Sequence, residues 1–198
     1  MAREMDQPIA IRLMHWIHVT SIVLLVWSGA YIHYPAAFGF PGAMNGARSV
    51  HFIAMYVIVF NLIWKVYHAV VTGYFKTIWL YGRHLKELPG FFAYHLLMTG
   101  GEPPKEGRFN SGQRMTYTLW LFLLIAEAIT GFALYGMRPF GWAPWYLARL
   151  NWLRELHFLG AWLFVITTVL HVYMVFYDGL HLLRGMITGY EQPQQPQR

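Results

Sequence analysis

Four apolar stretches, roughly Met14–His33, Val50–Val71, Met115–Gly136 and His157–Tyr177, constrain this chain more than any other feature. Each is about 20 residues long, enough for an α-helix to cross about 30 Å of hydrocarbon. Lipid offers no hydrogen bonds to a backbone, so a spanning run of this kind folds as a helix. With 57% hydrophobic and 12% charged residues, the chain lies far outside the soluble norm. The expected fold class is an all-α membrane protein, a four-transmembrane-helix bundle. Arg3 and Arg12 precede the first run as they would in a signal peptide, but the run is too long and no small-residue cleavage site follows, so a retained helix is expected. Residues 1–190 read as a single membrane domain, and the polar tail "EQPQQPQR" at 191–198 as disordered.

Four spans put the N-terminus, the middle segment from about Thr72 to Arg114 and the C-terminus on one side. That side carries Arg3, Arg12, Lys76, Arg83, Lys86, Lys105, Arg108, Arg114, Arg184 and Arg198, against Arg48, Arg138, Arg149 and Arg154 opposite. The positive-inside rule then places both termini in the cytoplasm, with the chain in the bacterial or archaeal cytoplasmic (inner) membrane. The net charge of +6 is explained by topology, and no nucleic-acid partner is expected. Within the middle segment, Phe75–Met98 mixes aromatic and basic residues as an interfacial helix would, with Pro89-Gly90 expected to break it. Gly100-Gly101 and Pro103-Pro104 mark a loop before the third span. Trp142, Trp145, Tyr146 and Trp152 gather just before the fourth span, as an interfacial aromatic belt does.

The chain has no cysteine, which excludes disulfides, thiolate zinc, cysteine-bound iron–sulfur clusters and covalent c-type heme. Its ten histidines are the metal ligands on offer. His157 and His171 begin and nearly end the fourth apolar run, 14 positions apart. On a helix that is about 21 Å of rise and about 40° of rotation, so both rings face the same neighbour, one near each membrane surface. The second span offers His51 at the outer end, and the first offers His15 and His18 at the inner end. Two pairs result: His51 with His157, and His15 or His18 with His171. Bis-histidine ligation at two depths is what two b hemes stacked across the membrane require. A bare zinc ion would find only half its tetrahedral ligand set in such a pair. His68 lies roughly 100° around the helix from His51 and falls at the inner end, beside the inner heme's edge or propionates. His33, His84, His95 and His181 lie outside the apolar cores and read as satisfied core or interface rings. Gly29, Gly131 and Gly160 admit close approach of a backbone or a flat macrocycle. Glu127 is a proton-relay candidate, whereas Lys65 can snorkel and is given no role.

The segments "RLMHW" (12–16), "ARSVHF" (47–52), "RFNSGQRM" (108–115), "ELHFLG" (155–160) and "LHVYMVFYDG" (170–179) fall in an order and spacing that resembles the gamma, cytochrome b subunit of respiratory formate dehydrogenases. The b-type cytochromes of membrane-bound nickel–iron hydrogenases share the histidine frame. The resemblance implies that His51 and His157 bind the outer heme and that His15, followed by Trp16, binds the inner heme with His171. It also implies a menaquinone beside the inner heme, next to the loop matched here by Asn110 and Gly112.

The expected function is therefore a diheme cytochrome b subunit. It would pass electrons from an iron–sulfur subunit of a respiratory formate dehydrogenase to menaquinone or ubiquinone near the cytoplasmic face, while a partner subunit oxidises the substrate. The alternative is the cytochrome b subunit of a quinone-reducing nickel–iron hydrogenase. More remote is a heme-free anchor or proton-relay protein.

Overall fold

The computed structural model describes residues 7–98, 105–106, 109–136 and 144–190. The polar tail, the Gly/Pro loop at 100–104, Trp142, Arg3, Arg108, Arg138 and Arg198 lie outside them. The described residues are all-α but for one short hairpin, and their long helices are α1 (Ile9–His33), α2 (Ala43–Val71), α6 (Ser111–Gly136) and α7 (Pro144–Asp178). All four are long and apolar enough to cross a membrane, α7 over Leu150–Asp178. Between α2 and α6 come α3 (Phe75–Ile78), α4 (Gly82–Leu85), α5 (Leu88–Leu97) and the strands β1 (Lys105–Glu106) and β2 (Phe109–Asn110); α8 (His181–Thr188) follows α7.

The helices outrun the apolar stretches. α1 starts at Ile9 rather than Met14, α2 at Ala43 rather than Val50, and α6 at Ser111 rather than Met115. The added turns carry Arg12, Asn45, Arg48, Gln113 and Arg114, which lower local hydropathy without opposing helix formation. Large apolar side chains on the long helices stay exposed, among them Phe60 at 69%, Ile129 at 64% and Val169 at 63%. Hydrocarbon is the solvent that such surfaces suit.

The segment Phe75–Met98 is not one interfacial helix broken at Pro89-Gly90. It is three short helices, interrupted at 79–81 and 86–87, and Pro89 sits in the first turn of α5. A proline there loses no intrahelical hydrogen bond, so it starts the helix instead of ending one.

The chain divides into two compact units, Met1–Lys65 with His171–Arg198, and Val66–Leu170. In the first, α2 is tied to α1 by Asn61 Nδ2 donating to Met14 O at 2.9 Å, and by Ser28 Oγ meeting His51 Nδ1 at 2.9 Å. Helix α8 is held at its last carbonyls. Trp16 Nε1 donates to Met186 O at 2.9 Å, Arg12 Nε reaches the same oxygen at 3.4 Å, and Arg12 Nη2 donates to Ile187 O. A cation at a helix C-terminus also meets the negative end of the helix dipole.

In the second unit, α6 begins with a reciprocal cap: Gln113 N donates to Asn110 Oδ1 at 2.9 Å, and Asn110 N donates to Gln113 Oε1 at 3.1 Å. Buried Arg114 sends Nη1 to the carbonyls of Lys76 and Trp79, at 3.4 and 3.5 Å. Gly112 packs against α5, and a Cβ added there would run into the Phe91 ring. Between α6 and α7, Trp120 Nε1 donates to Thr167 Oγ1 at 2.9 Å while its ring stacks on Phe164.

Two substitutions at the start of α6 should separate cap from packing. Asn110→Ala should lower stability by about 1 kcal/mol, while Asn110→Asp, an equally good cap acceptor, stays near wild type. Gly112→Val should cost more, about 1–3 kcal/mol, because buried Phe91 must move. Thermal unfolding of the detergent-solubilised protein measures both.

Candidate heme-ligand site

The histidines singled out in sequence fall in both units. His15, His18, His51 and His171 belong to the first, and His157 to the second.

His51 sits on α2 with its ring against α1. Ser28 Oγ lies 2.5 Å from Leu24 O and 3.3 Å from Leu25 O, carbonyls that can only accept, so the single hydroxyl proton is committed to its own helix. The Ser28 oxygen that meets His51 Nδ1 at 2.9 Å must then accept, and Nδ1 must carry the ring proton. Gly29 lies beside the ring: a Cβ there would come to 3.4 Å from His51 Cε1.

His157 on α7 repeats the device with a different set. Thr130 Oγ1 of α6 donates to Ala126 O at 2.8 Å and lies 3.2 Å from Glu127 O, so it too can only accept from His157 Nδ1, at 2.9 Å. Glu127 Oε2 shares that same Nδ1 at 2.9 Å. The carboxylate reaches across because Gly160, one turn beyond His157, has no side chain, and a Cβ there would overlap Glu127 Oε1. Glu127, a proton-relay candidate in sequence, is hydrogen-bonded to a candidate ligand.

With Nδ1 protonated, Nε2 keeps the lone pair in both rings. That is the tautomer and the second contact an iron-ligating histidine needs. Among the described residues, no three His, Asp or Glu side chains are gathered into a group that could hold a bare metal ion. Ser28 and Thr130 were not read from the sequence. The signal for Thr130 was its place one turn after Glu127 on the same helix face.

At the other end of the first unit, His171 lies within electrostatic reach of both His15 and His18, together with Lys65. His18 is buried, at 5% exposure, and the His15 ring meets Trp16 edge-on at 5.4 Å. Lys65, given no role in sequence, thus joins this histidine group. His68 packs edge-on to Tyr74 in the second unit.

Asn110 and Gly112 are both buried, and each has a structural duty in the cap and in the Phe91 contact. His84 and His95 are buried and hydrogen-bonded. His84 Nδ1 accepts from Tyr81 N at 3.0 Å, and His95 Nδ1 donates to Phe91 O at 3.1 Å.

This chain belongs to the prokaryotic cytochrome b561 family, which matches residues 6–189. Membership makes it a b-type cytochrome, which implies heme b as its cofactor. Its relatives include proteins described as "Probable Ni/Fe-hydrogenase B-type cytochrome subunit". That of Cupriavidus necator is 22% identical and covers 91% of this chain and 83% of its own length. That of Azotobacter chroococcum mcd 1 is 28% identical (83% and 76%), and that of Rhizobium leguminosarum bv. viciae 27% (90% and 84%). The comparisons thus favour the hydrogenase alternative, and they give no support to the formate dehydrogenase assignment.

The tautomers can be checked directly. In apoprotein labelled with 15N-histidine, the neutral rings of His51 and His157 should carry their proton on Nδ1. Ser28→Ala should release His51, but not His157, to a mixture of tautomers.

Proposed function

We propose that this chain is the diheme cytochrome b subunit of a membrane-bound nickel–iron hydrogenase, handing electrons from an iron–sulfur partner to quinone. The observation that carries this reading is that His51 and His157 each meet a helix-committed hydroxyl through Nδ1, in a chain of the cytochrome b561 family. Relatives described as hydrogenase cytochromes supply the partner.

Bound heme supplies one-electron oxidation and reduction at its iron. The chain's own part is to hold the axial positions: His51 and His157 for an outer heme, His15 and His171 for an inner one. The outer pairing rests on the order of the helices and the depth of each ring. The choice of His15 over His18 rests on the "HW" motif at 15–16. The basic flanks support a reading with both termini in the cytoplasm and the inner heme on that side. Quinone is assigned to the start of α6, beside Asn110 and Gly112, by resemblance to the cytochrome b subunits above.

Purified protein should carry two hemes per chain by pyridine hemochromogen assay, and a ratio near one refutes the pairing. His157→Ala should lose one heme and keep the other. His15→Ala should lose the inner heme while His18→Ala retains it, and the reverse result moves the ligand to His18. Hydrogen added to the assembled complex should reduce the hemes. If formate does so instead, the partner is a formate dehydrogenase.

The quinone assignment needs a substitution that spares the cap. Asn110→Asp keeps the acceptor and removes the amide donor, so it should slow quinone reduction with heme content unchanged. Wild-type turnover in that variant leaves Asn110 as a cap alone.

A further inference from the structure

The two orienting sets differ in one respect that matters to iron. His51 Nδ1–H meets a neutral hydroxyl, whereas His157 Nδ1–H meets both a hydroxyl and a carboxylate. A carboxylate that accepts from an imidazole N–H raises the basicity of the opposite nitrogen and gives the ring imidazolate character. Its negative charge also lies one imidazole away from the metal. Both effects stabilise ferric over ferrous iron, so both lower the potential of the bound heme.

We propose that Glu127 is a positioning residue that holds His157 as a ligand and selectively lowers the midpoint potential of the heme bound there. This rests on the reading of His157 as an axial ligand. Three features of the structure make the contact a built one. Thr130 commits its own proton to Ala126 O, which fixes His157 Nδ1 as the donor and the Glu127 oxygen as an acceptor. Glu127 and Thr130 lie one turn apart on α6, and His157 and Gly160 one turn apart on α7, so two facing stripes meet. Gly160 leaves the space that the carboxylate occupies, and an added Cβ would meet Oε1 and stand 3.0 Å from Cδ. A carboxylate within a membrane span is costly unless it has such partners. Only the near end of this contact is charged, so the effect should fall on one heme and spare the other.

The test is a redox titration of the purified cytochrome, followed in the heme α band, with the low-spin ferric signal read by paramagnetic resonance. His157→Ala serves as the control on the ligand reading: it should lose one heme, and full heme content there overturns the ligand assignment and the proposal with it. Given that loss, Glu127→Gln should keep both hemes, raise one midpoint potential, leave the other in place, and shift one ferric signal. Gly160→Ala should move the same potential in the same direction, because the methyl group displaces the carboxylate while every charge is retained. It decides the matter if Glu127→Gln does not accumulate. Two unchanged midpoints in these variants, in a protein that His157→Ala has deprived of one heme, overturn the proposal. Slowed quinone reduction at unchanged potentials overturns it as well and returns Glu127 to a proton relay.

Discussion

A serine or threonine inside a helix has one proton and a carbonyl one turn back to receive it. Once that proton is committed, the hydroxyl can only accept, and whatever donor it meets must bring a proton of its own. Ser28 and Thr130 are both in this state, and each meets an imidazole Nδ1. Everything chemical about His51 and His157 depends on it. In water an imidazole would exchange tautomers freely; inside a span, a hydroxyl fixed by its own backbone fixes the ring.

The same constraint explains which polar residues the spans tolerate. Asn61, buried within α2, donates to Met14 O, and Trp120 donates to Thr167. Each of these bonds links two helices, since a group with no water to turn to must find its partner on a neighbour. Hydrogen bonding thereby does in hydrocarbon some of the pairing that apolar burial does in water.

Much of the fold was legible because span length is a one-dimensional property. The four long helices, their order and the histidines they carry follow from counting apolar residues. Helix starts were less legible: Arg12, Asn45 and Gln113 look like loop residues to a hydropathy reading, yet the helices run through them. Pro89-Gly90 read as a break, because whether a proline ends or begins a helix depends on where the first turn falls. The hairpin of β1 and β2 and the helix α8 carry too few residues for any periodicity to declare them. At the site, depth alone could set His171 level with His15 and His18 without choosing between them, and no spacing rule reveals that Glu127 reaches His157. That contact depends on the space at Gly160, which is a property of two helices together.

The anchoring of α8 has a consequence for how the protein is made. Arg12 and Trp16 close on carbonyls 174, 175 and 170 positions later in the chain. Synthesis at about 5–20 residues per second leaves on the order of ten to thirty seconds between the emergence of the first partners and the last. Throughout that interval Arg12 and Trp16 are without these carbonyl partners and depend on water or lipid headgroups for hydrogen bonds. Helix α1 is thus completed only after α7 has been made, and the closing step belongs to the final turn of α8.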